Sequence, residues 1–279
     1  MRPAVVLALL GWLGAPAQAA TLETSSTPYP GVVYARWAEA GIPARIHLLA
    51  VDLTSSELTL LATSEPQRGT KPSQFAGAVG AQIAVNGDFF APVDYRPAGL
   101  AMGGATLWAG SADDALSGFF RFDRNGDVSH GEFSPPEEVV AGGDLAAGTQ
   151  GVVGGRPMLV RAGVAQSAFD CDDQIAMPCV RAPRTALALS ADGNTLWIAV
   201  VDGWQAGSLG MTAAELGNFL RARGARDALM LDGGAASAMW VAGMGGLVSS
   251  PSDGVERTVA NHLAVRYGAL PPGQLVGFI

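Results

Sequence analysis

Three aspartates stand where an apolar run gives way to glycine. Ile83-Ala84-Val85 delivers Asn86-Gly87-Asp88, Trp197-Ile198-Ala199-Val200-Val201 delivers Asp202-Gly203, and Leu229-Met230-Leu231 delivers Asp232-Gly233-Gly234, with Ser237 just beyond. A rigid strand followed by glycine holds a carboxylate still and lets a ligand approach backbone N–H groups. One Asp-Gly alone is a turn signal; its repetition at strand ends is what points to a shared cleft. Two arginines bring the opposite charge: Arg184 precedes Thr185, and Arg257 precedes Thr258-Val259-Ala260-Asn261. A guanidinium beside a hydroxyl at a strand entrance suits bidentate recognition of phosphate. Carboxylates next to such an arginine are the groups needed for acid–base work on a phosphorylated substrate.

Other chemistries lack their residues. There is no Gly-x-Ser-x-Gly elbow, no Gly-x-x-x-x-Gly-Lys-Ser/Thr loop, no Gly-x-Gly-x-x-Gly and no His-Glu-x-x-His helix. The 279 residues carry 25 acidic against 17 basic side chains, a formal charge of −8, with Lys71 the only lysine. That balance disfavours a nucleic-acid partner. With 49% apolar and 15% charged residues the chain is globular, and its 37 glycines follow no three-residue period.

The elements that must position these groups are short. Residues 1–19 combine Arg2, an apolar run over 4–13 and Ala17-Gln18-Ala19, the plan of a secretory signal peptide cut after Ala19. The run is too short for a span, which needs about 20 residues, so the expected protein is exported, periplasmic or extracellular, with no membrane span once the signal is removed. Residues 20–44, Thr/Ser/Pro-rich at their start, read as an extended leader, and 45–279 as the domain. Strands are expected over 45–53, 58–63, 82–85, 118–123, 185–190, 195–201, 228–231 and 259–267, with Asn125-Gly126 and Asp192-Gly193 as hairpin turns. Ser73 is placed to cap a helix through Val79. Thr212 with Glu215 forms a capping box for another, which buries Leu216, Phe219 and Leu220 and stops at Gly224. Strands and helices mix without regular alternation, so the expected fold is α+β, a mixed sheet packed with helices in one compact domain. Cys171 and Cys179 read as a disulfide in an exported chain. His262 reads as structural.

In order and spacing these motifs resemble the phosphodiester glycosidase family. The resemblance is carried by Val85-Asn86-Gly87-Asp88-Phe89-Phe90, Gly154-Gly155-Arg156-Pro157, Pro183-Arg184-Thr185-Ala186, Val201-Asp202-Gly203 and Gly210-Met211-Thr212 with Glu215-Leu216. It continues through Leu231-Asp232-Gly233-Gly234 with Ser237, and Arg257-x-Val259-Ala260-Asn261. It implies hydrolysis of a sugar-1-phosphodiester, of the N-acetylglucosamine type, at the anomeric C–O bond, with a phosphoglycan or sugar phosphate as substrate. On that reading Asp232 is nucleophile or base and Asp202 its partner, because an oxocarbenium-like transition state calls for carboxylates. Arg184 and Arg257 take the phosphate. Asn86, Ser237 and Asn261 orient sugar hydroxyls, Gly233 and Gly234 offer N–H groups to an anion, and Asp88 and Thr185 complete the substrate-binding set. The sequence departs from the family pattern at Asp88, at Trp204 after Asp202-Gly203, and at Ala235-Ala236. Two other readings use the same residues: a glycan-binding protein without turnover, with Trp204 stacking on sugar, or a phosphodiesterase cutting P–O with a divalent cation on Asp88, Asp202 and Asp232. No other cofactor is implied.

Overall fold

The apolar runs form strands whose side chains alternate between two environments, as in a sheet covered on both faces. The computed structural model describes residues 20–268 except 40, 110, 112–117, 124–126, 133–144 and 146. The expected signal peptide and the Asn125-Gly126 turn lie outside the described residues. In chain order the strands are β1 (Thr21–Tyr29), β2 (Val32–Glu39), β3 (Ala44–Asp52), β4 (Leu58–Ala62), β5 (Ile83–Asn86), β6 (Phe90–Ala91), β7 (Arg96–Pro97), β8 (Met102–Gly103), β9 (Thr106–Leu107) and β10 (Gly118–Asp123). There follow β11 (Val128–Glu132), β12 (Thr149–Gly155), β13 (Met158–Arg161), β14 (Val164–Ala165), β15 (Arg184–Ser190), β16 (Thr195–Val201), β17 (Ala225–Met230), β18 (Met239–Val241), β19 (Gly246–Leu247) and β20 (His262–Tyr267). The α-helices are α1 (Pro72–Val79) and α2 (Ala213–Arg221).

One sheet has the order β1-β2-β3-β16-β15-β17-β13-β14, a second β11-β10-β12-β8-β9 and a third β19-β18-β5-β20-β4. Every ladder among the described strands is antiparallel. The fold is therefore mostly β, and the expected α+β arrangement overstated the helices. The reason is in the turns: Gly193, at φ +74°, closes the β15–β16 hairpin, whereas parallel neighbours need a long crossover. The stretch expected as a leader is extended, but β1 and β2 hydrogen-bond into the edge of the large sheet.

Alternation sets the layers. Leu49, Ile198, Val200, Leu187 and Leu229 point from the large sheet into a core shared with Val85, Phe120, Val153 and Leu263 of the other two, which makes the whole a single domain. Ala186, Ala188, Ala199, Val201, Ala228 and Met230 point the other way, against Leu216, Phe219 and Leu220 of α2. Burial of those three side chains stabilises the helix by about 1.5–3 kcal/mol each. Gly217 lets α2 come close, since a Cβ there would lie 2.7 Å from the Leu159 carbonyl oxygen. The Thr212–Glu215 capping box forms as expected: the Glu215 N–H donates to Thr212 Oγ1 and the Thr212 N–H to Glu215 Oε2. Ser73 caps nothing. It lies inside α1, and its N–H and hydroxyl both donate to the Glu256 carboxylate, at 2.9 and 2.5 Å.

Candidate active site

Antiparallel pairing brings the entrance of β15 beside the exits of β16 and β17. Arg184 lies opposite Val201, and the Leu231 N–H donates to the Thr185 carbonyl at 2.9 Å. The exit of β5 reaches the same place, because the Asp232 N–H donates to the Gly87 carbonyl at 3.0 Å. Most of the polar residues singled out in sequence knit this junction together. Asn86 Nδ2 donates to the Asp232 carbonyl (2.8 Å), and Asn86 Oδ1 accepts from Thr185 Oγ1 (2.7 Å) and the Ala238 N–H (3.2 Å). Asn261 Oδ1 accepts from the Asp88 N–H at 2.8 Å. Gly87 is required there, because a Cβ would stand 2.2 Å from that oxygen. Asn86, Asp88, Thr185, Ser237 and Asn261 are all buried, at 2% exposure or less. They form the floor under the site, and the structure does not place them at its surface.

Arg184 is also turned inward. Its Nε donates to the Met211 carbonyl, Nη1 to Ala176, and Nη2 to Met177 and Val180, at 2.6–3.0 Å. Burial lowers its pKa to about 10. The guanidinium suspends the loop closed by the Cys171–Cys179 disulfide, which forms as expected. That loop, through Ile175, Ala176 and Met177, is one wall of a cleft of about 360 Å³.

The rest of the cleft contains Arg184, whose guanidinium is engaged by the loop carbonyls, with Asp232, Gly233, Gly234, Ala235, Phe89, Trp204, Asp253 and Arg257. Asp232 reaches its surface half-buried. Desolvation pushes its carboxyl up to about 7, against the opposing pull of the Gly233 N–H, which donates to Oδ1 at 2.8 Å, and of the Arg257 charge. Arg257, unlike Arg184, is exposed. The backbone offers no anion nest at the two glycines, since the Gly234 N–H donates to the Pro183 carbonyl (2.9 Å) and Gly233 serves Asp232. Trp204 is 51% exposed; its ring lies where a Cβ on Gly234 would come within 2.8 Å, and its Nε1 donates to the Arg181 carbonyl at 3.2 Å.

Asp202 is not in the cleft. It follows the parity of Val200, which faces the inter-sheet core, while Asp232 follows Met230 on the opposite face. Its Oδ2 accepts from His47 Nε2 at 3.1 Å with Arg45 at 3.7 Å, and His47 Nδ1 in turn accepts from the Tyr34 hydroxyl at 2.8 Å. Asp202 Oδ1 accepts the Ser250 N–H at 2.7 Å and so anchors the loop that carries Asp253 and Arg257. The second cleft carboxylate, Asp253, was missed in sequence although Asp253-Gly254 repeats the same dipeptide, because it sits on a loop and not at a strand end. Asp88, Asp202 and Asp232 do not converge; among the described residues no three His, Cys, Asp or Glu side chains are grouped to hold a metal. His262 is structural: Nδ1 meets Thr63 Oγ1 at 2.9 Å, Nε2 meets the Thr70 carbonyl at 3.1 Å, and burial lowers its pKa to about 3.

The family model for phosphodiester glycosidases matches residues 79–266, which hold the strands of the junction and every cleft residue. The chain belongs to the phosphodiester glycosidase family. Its fold is similar to the zebrafish N-acetylglucosamine-1-phosphodiester alpha-N-acetylglucosaminidase catalytic domain auto-inhibited by pro-peptide, with TM-score 0.65 and 19% identity over 91% of this chain and 85% of that one. A putative exported protein from Burkholderia pseudomallei is similar at TM-score 0.58 and 18% identity, over 84% and 74% of the two chains. Among curated proteins, an SPbeta prophage-derived uncharacterized protein of Bacillus subtilis is 38% identical over 88 residues, 32% of this chain and 13% of that protein's length. Within the matched range, Asn86, Thr185 and Asn261 make the hydrogen bonds that hold the junction presenting Asp232.

Proposed function

We propose that this protein hydrolyses a sugar-1-phosphodiester, of the N-acetylglucosamine type that names the zebrafish enzyme, at the anomeric C–O bond. The observation that carries the reading is one carboxyl held near 7 beside an exposed arginine and an exposed indole in a single cleft. A base whose pKa lies near the working pH is the efficient one. In the reaction Asp232 takes a proton from water, the water oxygen bonds to the anomeric carbon, and the C–O bond to phosphate breaks with its electron pair passing to the phosphoryl oxygen. Arg257 stabilises the charge that develops there. Trp204 gives the sugar ring an apolar face, and Asp253 adds a carboxylate to the oxocarbenium side. Phosphate is a weakly basic leaving group, so no second acid is needed.

The same reading makes the protein an exported one. A disulfide on the cleft wall, the absence among the described residues of any helix long and apolar enough to cross a membrane, and the signal-like residues 1–19 support it. The deciding experiment is hydrolysis of an N-acetylglucosamine-1-phosphodiester in oxygen-18 water, beside Asp232→Asn. Heavy oxygen on the sugar, lost with the variant, is the expected result. Heavy oxygen on the phosphate, or undiminished turnover by Asp232→Asn, would overturn the assignment.

A further inference from the structure

The described residues enclose a second cavity, larger than the cleft. A groove of about 700 Å³ lies between β2 and α2, within the range of small-molecule sites, about 300–1,000 Å³. Its polar groups are already held in place. The Arg223 guanidinium carbon lies over Phe219 and Trp37, 3.3 and 4.0 Å from their ring centroids, and Nη1 donates to the Phe219 carbonyl. Arg181 is paired with Glu215, which the capping box also fixes. Glu39 completes the set, its pKa raised by desolvation and by Glu215. Two arginines face two glutamates, so the groove has no net charge to attract an anion or a basic peptide. Fixed, planar donors and acceptors beside aromatic rings match a neutral polyhydroxylated ligand, which pays little ordering cost on binding them.

Position adds the second argument. Met211, which lines the groove, pairs with Ala182 in an isolated antiparallel bridge. Beside it the Arg181 carbonyl holds Trp204 of the cleft while the Arg181 side chain lines the groove, and the Met211 carbonyl holds Arg184. We infer that the groove is a saccharide subsite that binds a neutral sugar unit of an extended phosphoglycan whose phosphodiester lies in the cleft. The inference rests on the proposed hydrolysis and names the side of the substrate that confers selectivity.

The test compares two substrates, the methyl ester of N-acetylglucosamine-1-phosphate and the same phosphate esterified to tri-N-acetylchitotriose. The expected kcat/KM is about tenfold higher for the longer one, the ratio given by roughly 1.4 kcal/mol of extra binding. Asn218→Trp, at an exposed α2 position that lines the groove, and Glu39→Gln should each bring that ratio to about one. Tri-N-acetylchitotriose alone should bind Asp232→Asn in calorimetry and fail to bind the Asn218→Trp double variant. A wild-type ratio near one, a ratio that survives both substitutions, or no heat with the trisaccharide refutes the subsite. Displacement of the trisaccharide by a peptide of residues 4–13 would give the groove to the chain's own apolar run and also overturn it. Absence of turnover on both substrates refutes the hydrolysis instead, and calorimetry then reads the groove separately.

Discussion

Replacing Asp232 by asparagine should make the protein inactive and more stable, with a gain that grows as pH rises. The carboxyl sits at about 7 in the fold and at about 3.9 in an unfolded chain. Below the lower value both states are protonated and burial of the neutral acid costs little. Between the two values the unfolded chain releases its proton while the folded chain retains it, so stability falls, and above about 7 the full cost of a desolvated carboxylate is present. That interval corresponds to about 4 kcal/mol at about 1.4 kcal/mol per pH unit. Solvent reaches one side of the half-buried group, which screens the effect to about 2 kcal/mol. Asparagine has the same shape, still accepts the Gly233 N–H that Asp232 accepts at 2.8 Å, and carries no charge. In a chain of this size about 2 kcal/mol moves the thermal midpoint by roughly 4–8 °C. Melting both proteins at pH 4, 6 and 8 should give nearly equal midpoints at pH 4 and the full gap at pH 8, asparagine higher. A gap that does not vary with pH, or a less stable variant at pH 8, would refute the reasoning.

Arg257→Ala should lower kcat/KM about a hundredfold through lost stabilisation of the departing phosphate; it should also move the midpoint of the pH–rate profile upward, since the Arg257 charge lowers the Asp232 pKa. Arg184→Met should destabilise the fold by about 3 kcal/mol by leaving buried carbonyls unpaired, and proteolysis should then cut first in the Cys171–Cys179 loop it suspends. Asp202→Asn offers one oxygen where His47 and the Ser250 N–H use two, so it should cost about 1–3 kcal/mol and raise KM more than it lowers kcat. Trp204→Ala should raise KM with little change in unfolding midpoint, its ring being exposed.

Strand positions, the α2 capping box and the disulfide were legible because each depends on neighbours in sequence. Alternation at 200, 201 and 230 even contained the answer about the carboxylates. Val200 and Met230 belong to opposite faces, so Asp202 and Asp232, two residues further along each strand, diverge. The missing knowledge was which strands pair and where each ends, and that is set by contacts between distant segments. Arg184 shows the same limit. An arginine before a strand looks identical in sequence whether it faces a phosphate or four carbonyls. Likewise, Ser73 resembles a cap until Glu256, brought in from a remote loop, engages it.

β5 lies between β18 and β20, and bonds that fix its exit close over 146 and 173 residues of chain. A chain still being made therefore has no partner for this strand on one side until β18 has emerged, and none on the other until β20 has. Topology of this kind folds slowly, because long loops must close before any contact rewards them, and unpaired apolar edges invite association in the meantime. The junction around Asp232 thus forms only after segments distant in the chain have come together. Loss of β20 would leave β5 unpaired on that side and so loosen the exit to which the Asp232 N–H donates.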